Sequence, residues 1–110
     1  MITEMLIATL IMVESGGNDF AVGDEGDAIG CLQIHKGVIA DVNRVYGLTY
    51  RWPESAYSRE NSVCICRLYL KHYAPAGATD EQLARIWNGG PKGYKKRATL
   101  GYWRKVEVRL

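Results

Sequence analysis

The chain has 110 residues, the length of one domain. Hydrophobic residues make up 47% and charged residues 24%, and the 12 Gly and 3 Pro follow no period, which excludes disorder and collagen-like structure. The net charge of +2 is too small to argue for a nucleic-acid partner by itself.

Ile2, Met5, Leu6, Thr9, Leu10 and Val13 recur at helical spacing, and Ile7, Ile11 and Met12 fill the other side. The pattern predicts a helix buried on most faces, with Thr3 as N-cap and Gly16-Gly17 as its stop. The same stretch has no basic start, carries Glu4 and shows no small-residue cleavage site, so it does not read as a signal peptide. Its uncharged run from Met5 to Val13 is too short to span a bilayer. The expectation is synthesis in the cytoplasm without a targeting segment and no membrane partner. Asn18 to Gly30 is rich in Gly and Asp and predicts an irregular stretch or a small hairpin. Lys36 to Tyr46 predicts a helix with Val38, Ile39, Val42 and Val45 inward and Gly47 as the stop.

After a connection broken by Pro53, Ser55 or Ser58 starts a helix running to about Tyr73. Val63, Cys64, Ile65, Leu68, Tyr69 and Leu70 make up its interior, and Pro75 and Gly77 end it. Thr79, Asp80 and Glu81 open a helix to about Trp87. Asn88 to Pro91 forms a sharp loop, and a last helical stretch covers about Ala98 to Val106. The sum is an α+β, mainly α, single domain over residues 1–110 with one irregular or hairpin lobe.

Three cysteines cannot complete a disulfide framework. Cys64 and Cys66 stand two apart on a predicted helix, where side chains do not face each other. They read as buried small hydrophobes in a chain suited to a reducing compartment. His35, His72 and the cysteines lack zinc-ligand spacing, so neither a metal nor a cofactor is expected. The charges are segregated. Residues 1–35 hold six acids (Glu4, Glu14, Asp19, Asp24, Glu25, Asp27) and no Lys or Arg, whereas residues 92–110 hold seven basic residues and one acid, Glu107. This reads either as an acidic site opposite a basic rim or as plain charge balance with a solvated basic tail.

Glu14 carries the chemical argument. It sits at the C-terminal end of the most apolar helix, before a Gly-rich loop. Desolvation by Met12, Val13 and the neighbouring core disfavours its charged form, and the negative end of the helix dipole acts the same way. A carboxyl group that keeps its proton near neutral pH is what a general acid requires.

Glu14-Ser15-Gly16-Gly17-Asn18 is followed by GDEGDAIGCLQI over Gly23 to Ile34, then by ARIWNGGP over Ala84 to Pro91 and TLGYWRKV over Thr99 to Val106. In this order and spacing the four motifs resemble the lysozyme-like superfamily of soluble lytic transglycosylases and goose-type lysozymes, over nearly the whole chain. The resemblance implies a lysozyme-like fold and cleavage of the β-1,4 bond between N-acetylmuramic acid and N-acetylglucosamine in bacterial peptidoglycan. It implies that Glu14 protonates the glycosidic oxygen, that Ser15 supports that carboxyl and that Gln33 lines the sugar groove. It further implies that residues 84–103 form the opposite wall, with Trp87, Asn88 and Gly89 binding substrate there, and that Tyr102 approaches the catalytic carboxyl. Cys31 stands where the family commonly has Leu, Leu32 where it has Met, and Trp87 where the transglycosylases usually have Tyr.

The resemblance leaves two chemistries open. A hydrolase of the inverting type needs a second carboxylate to activate water. A lytic transglycosylase instead closes the muramic acid 6-hydroxyl onto the anomeric carbon. Asp24 is the best second carboxylate, with Asp27 in reserve. His35 stands where goose-type enzymes usually carry another aspartate, and reads as a base or substrate-binding residue or as a surface or capping residue. The implied setting is a monomeric, phage-type lysin or a cell-wall-cleaving unit of a phage particle, acting on the bacterial cell wall, with a predator's enzyme or a bacterium's own remodelling enzyme as the alternative.

Two other readings compete. One is a non-catalytic glycan-binding or structural module on the same fold, and the presence of Glu14 and Ser15 argues against it. The other is a nucleic-acid binder using Tyr94, Tyr102, Trp103 and the basic C-terminal stretch, which lacks any recognised motif.

Overall fold

A computed structural model describes all residues, 1–110. Helix α1 (Glu4–Ser15) starts where the Thr3 hydroxyl accepts the Leu6 N–H at 3.0 Å and stops at Gly16 in the left-handed conformation, φ 64°. Leu6, Ile7, Leu10 and Ile11 are buried, with Leu6 and Leu10 fully so. Each of those two side chains contributes roughly 1.5–3 kcal/mol on leaving water. The helix is not covered on most faces as its sequence predicts, since Met5 is 66% and Met12 54% exposed. A helix apolar all round gives no periodic signal of which face is left open.

The lobe that follows is a small antiparallel hairpin, β1 (Val22–Gly23) with β2 (Ala28–Ile29), pairing Val22 with Ile29 and Gly23 with Ala28. A 3-10 turn, Asp24–Gly26, connects the strands, and an isolated bridge between Ile29 and Ile34 folds the chain back once more. Helix α2 (Lys36–Tyr46) ends at Gly47, φ 65°. Helix α3 (Arg59–Tyr73) begins at Ser58, whose hydroxyl accepts the Asn61 N–H at 3.2 Å, so the start is Ser58 and not Ser55. Cys66 is buried on α3, but Cys64 is exposed, which corrects its assignment to the interior.

Helix α4 (Asp80–Gly89) opens with a reciprocal capping box between Thr79 and Gln82. Two 3-10 turns, Gly93–Lys95 and Arg97–Thr99, then lead into α5 (Leu100–Glu107). Helix α1 packs on α4 and α5, while α3 packs on α2 and α4. Nineteen buried residues drawn from every helix and the hairpin lobe form one core. The turns before α5 are pinned by Arg85, which donates to Thr99 Oγ1 (2.8 Å) and the Lys96 carbonyl (2.9 Å). No helix is long and apolar enough to cross a membrane.

Candidate active site

A groove of about 350 Å3 runs between the hairpin lobe and α4, and Glu14 at the end of α1 lines it. Asp24 from the connecting turn, with Gln33 and His35 from the segment before α2, forms the lobe side. Trp87, Asn88 and Gly90 at the end of α4 form the facing side. The volume lies in the range of clefts that hold small-molecule ligands.

Glu14 is half-buried, and its pKa is raised from 4.5 to about 7. Desolvation is the largest cause, and the Asp24 charge adds to it. The Tyr102 hydroxyl, donating to Glu14 Oε2 at 2.8 Å, opposes the rise, as do the charges of His35 and Lys105. Burial beside Glu14 pushes the Tyr102 phenol well above its ordinary range, so it stays protonated and serves as a donor. The carboxyl group is therefore oriented by one hydrogen bond and poised to hold or release a proton near neutrality.

This geometry fixes the effect of Tyr102→Phe. Deleting the donor removes stabilisation from the carboxylate, so the Glu14 pKa rises further. Activity that needs the protonated acid is lost as pH rises through about 7, and in this variant that limb moves to higher pH. At pH 6, kcat changes by no more than roughly tenfold, one hydrogen bond's contribution. A kcat/KM–pH profile of the two proteins checks both statements.

Asp24 and His35 face each other, with His35 Nε2 3.0 Å from Asp24 Oδ2. Asp24 has a left-handed backbone, φ 48°, as do Glu25 (φ 57°) and Gln33 (φ 52°). Such residues cost of order 1–3 kcal/mol each and concentrate at functional sites. The side chain of Gln33 is held by its own backbone surroundings, its Nε2 donating to the carbonyls of Gly30 (3.0 Å) and Ala21 (3.3 Å). Gly23 has no Cβ because one would lie 2.2 Å from Gln33 Oε1.

The structure assigns other tasks to two of the expected residues. The Ser15 hydroxyl does not reach Glu14 and does not line the groove. It donates to the Cys31 carbonyl at 2.8 Å and accepts from the N–H groups of Gly17 (3.2 Å) and Asn18 (3.1 Å), tying the end of α1 to the lobe. Gly89 packs against the turns before α5, where a Cβ would lie 2.5 Å from Thr99 Cγ2, and Gly90 lines the groove in its place. Asp27 lies outside the groove.

Three lining residues carry no site signal in the sequence. Val38 on α2 and Tyr69 on α3 read there only as core, and Ile34 only as part of the Gln-Ile stretch. Tyr69 is buried and meets Trp87 edge-on, ring centroids 5.7 Å apart. A tyrosine between Cys66 and Leu70 in the buried stripe of α3 is the available hint, because its hydroxyl needs a polar outlet. No group of three or more His, Cys, Asp and Glu side chains is placed to hold a metal ion.

The family model described as "Transglycosylase SLT domain" matches residues 1–106. The chain is 27% identical over 111 residues to a lysozyme of Meretrix lusoria, covering 96% of this chain and 88% of that protein. It is 27% identical over 113 residues to Lysozyme 1 of Crassostrea virginica, covering 98% of this chain and 60% of the relative, so it spans less than two-thirds of that protein's length. Among solved structures, the crystal structure of Aeromonas hydrophila PliI in complex with Meretrix lusoria lysozyme contains a chain similar to it. The TM-score is 0.85 at 29% identity, with 97% of this chain and 89% of that one covered.

Proposed function

The chain belongs to the transglycosylase SLT domain family, and from that premise we propose that it is a lysozyme that hydrolyses the glycan strand of bacterial peptidoglycan. The observation that carries this reading is Glu14. It is a half-buried carboxyl group with a pKa raised to about 7, hydrogen-bonded by Tyr102, in a groove that also contains a second carboxylate.

In this mechanism Glu14 gives its proton to the glycosidic oxygen as the bond to the anomeric carbon breaks. Positive charge develops on the sugar ring, and Asp24, on the lobe side of the groove, takes a proton from the water that attacks the anomeric carbon. Trp87, backed by the buried Tyr69, offers apolar ring surface to the sugar, and Asn88 offers amide hydrogen bonds. The basic residues that follow Gly90 suit a substrate whose muramic acids and stem peptides are anionic. The relatives named above are lysozymes of Meretrix lusoria and Crassostrea virginica, and they lend no support to the phage setting.

Hydrolysis and transglycosylation differ by one water in the product. Mass spectrometry of digested peptidoglycan is expected to show reducing N-acetylmuramic acid ends, and 1,6-anhydro ends alone would replace the hydrolytic reading with transglycosylation. Asp24→Asn is expected to slow hydrolysis about 100-fold, the lower range for loss of a general base, while leaving the groove intact. Unchanged turnover in that variant would remove Asp24 from water activation.

A further inference from the structure

The pairing of Asp24 with His35 bears on the hydrolytic step. Asp24 is a poor anchor for its own side chain. Its backbone is left-handed, the following residue is left-handed too, and the side chain is 68% exposed. Its carboxylate has one side-chain partner, His35 Nε2.

His35 stands on firmer ground. Ile34 before it is fully buried, bridges to Ile29 and has its carbonyl bonded by Trp52 Nε1 at 3.2 Å. His35 is also the N-cap of α2, in extended conformation, yet its side chain makes no capping hydrogen bond. The imidazole is therefore not engaged by the helix. An exposed pair of this kind contributes little to stability, so folding does not account for it. Both side chains line the groove that contains Glu14.

We infer that His35 is a positioning residue for water activation: its Nε2–H holds Asp24 Oδ2, fixes the carboxylate toward the groove and leaves Oδ1 free to accept a proton from water. This rests on the hydrolytic reading above. Glu14 loses its proton to the leaving sugar oxygen, the water oxygen bonds to the anomeric carbon, and the water proton passes to Asp24. The imidazole keeps its own proton throughout. The Asp24 carboxylate is exposed and has no other side-chain partner, so removing the imidazole releases the base.

The test uses two variants of the full chain. His35→Ala removes the donor. His35→Gln keeps a neutral N–H donor of similar reach but has no ring to accept a proton or carry a charge. With soluble peptidoglycan fragments, His35→Ala is expected to lower kcat about 10- to 100-fold, the effect of misplacing a reacting group. KM is expected to stay within about twofold, and His35→Gln to recover most of the lost turnover. In an Asp24→Asn background, His35→Ala is expected to have no further effect, because the group it positions is already gone. Melting temperatures matching the parent would confirm that the exposed substitution leaves the fold intact.

Several outcomes overturn the inference: full turnover in His35→Ala, a loss carried by KM, or His35→Gln as slow as His35→Ala. An equal loss in the Asp24→Asn background does the same. Failure of the hydrolytic reading itself is distinguishable, because it appears in the parent protein as 1,6-anhydro products.

Discussion

Replacing Glu14 by Gln is expected to reduce glycan cleavage by about 1,000-fold or more while the protein stays folded. General acid catalysis supplies on the order of 10²–10⁴ in rate, and in this groove no other group is placed to replace it. Asp24 is exposed and paired with His35, and the Tyr102 phenol is held fully protonated by burial next to Glu14. Gln is close to isosteric with Glu and keeps the oxygen that accepts the Tyr102 hydroxyl, so the local packing survives. Turbidity loss of purified peptidoglycan measures the result. If the variant keeps more than about a tenth of parental activity, Glu14 is not the acid.

The same substitution has a thermodynamic signature that a simple loss of contact would not produce. The folded-state pKa of Glu14 lies above its ordinary value of 4.5, at about 7. A group shifted upward on folding stabilises the native state fully at pH below 4.5, and that contribution is lost as pH rises through about 7. At about 1.36 kcal/mol per pH unit, the displacement bounds the loss at roughly 3 kcal/mol. The substituted amide carries no charge at any pH and escapes this penalty. The variant is therefore expected to melt several degrees above the parent at about pH 9, with the gap narrowing toward about pH 4. An inactive protein whose gain in stability builds up between about pH 4.5 and 7 and then stays level ties catalysis and desolvation to one carboxyl group.

What is legible in the sequence divides along the range of the interactions. Helix ends are set by local hydrogen bonds, and the caps at Thr3, Ser58 and Thr79 and the stops at Gly16 and Gly47 all lie where local rules place them. Helix α2 keeps its predicted limits, Lys36 and Tyr46. The two turns before α5 escape a local reading because what holds them is Arg85, a residue of α4 acting across 11 and 14 positions. The exposed face of α1 escapes it because apolar residues from Met5 to Val13 fall on all sides of that helix. At the site, a motif identifies residue types but not side-chain direction. Glu14 and Tyr102 meet across 88 positions, whereas Ser15 turns to backbone and Gly89 to Thr99. The contact of Asp24 with His35 depends on the hairpin and the Ile29–Ile34 bridge together, which no local pattern encodes.

Substitution of Gly30 by Ala is expected to be the most destabilising single methyl added to this chain. Gly30 sits where the hairpin passes into the turn carrying Cys31 to Gln33, with a left-handed backbone, φ 82°. A Cβ there would lie 1.8 Å from the Ala56 carbonyl oxygen. That oxygen cannot swing away cheaply. It belongs to backbone in the 3-10 turn Glu54–Tyr57, Ala56 is fully buried, and the oxygen accepts the buried Ser62 hydroxyl at 2.8 Å. Relief therefore requires the lobe and the 54–57 turn to separate. Doing so also strains the bond from the Gly30 N–H to Ala21 (2.8 Å), and those to the Gly30 carbonyl from the Gln33 N–H (3.0 Å) and Nε2 (3.0 Å). The expected loss is on the order of 3–5 kcal/mol, a large share of the roughly 5–15 kcal/mol available to a domain, read as a lower urea midpoint or a failure to fold. Activity falls with it, because Asp24, Gln33 and His35 all hang from the displaced segment. Gly37→Ala supplies the control. Gly37 is exposed in the first turn of α2, its Cβ would meet nothing within 4 Å, and alanine favours the helix by roughly 0.5–1 kcal/mol. A stabilised Gly37→Ala beside a collapsed Gly30→Ala locates the effect in the contact with Ala56, whereas equal stabilities in the two would mean that the lobe does not rest on that turn.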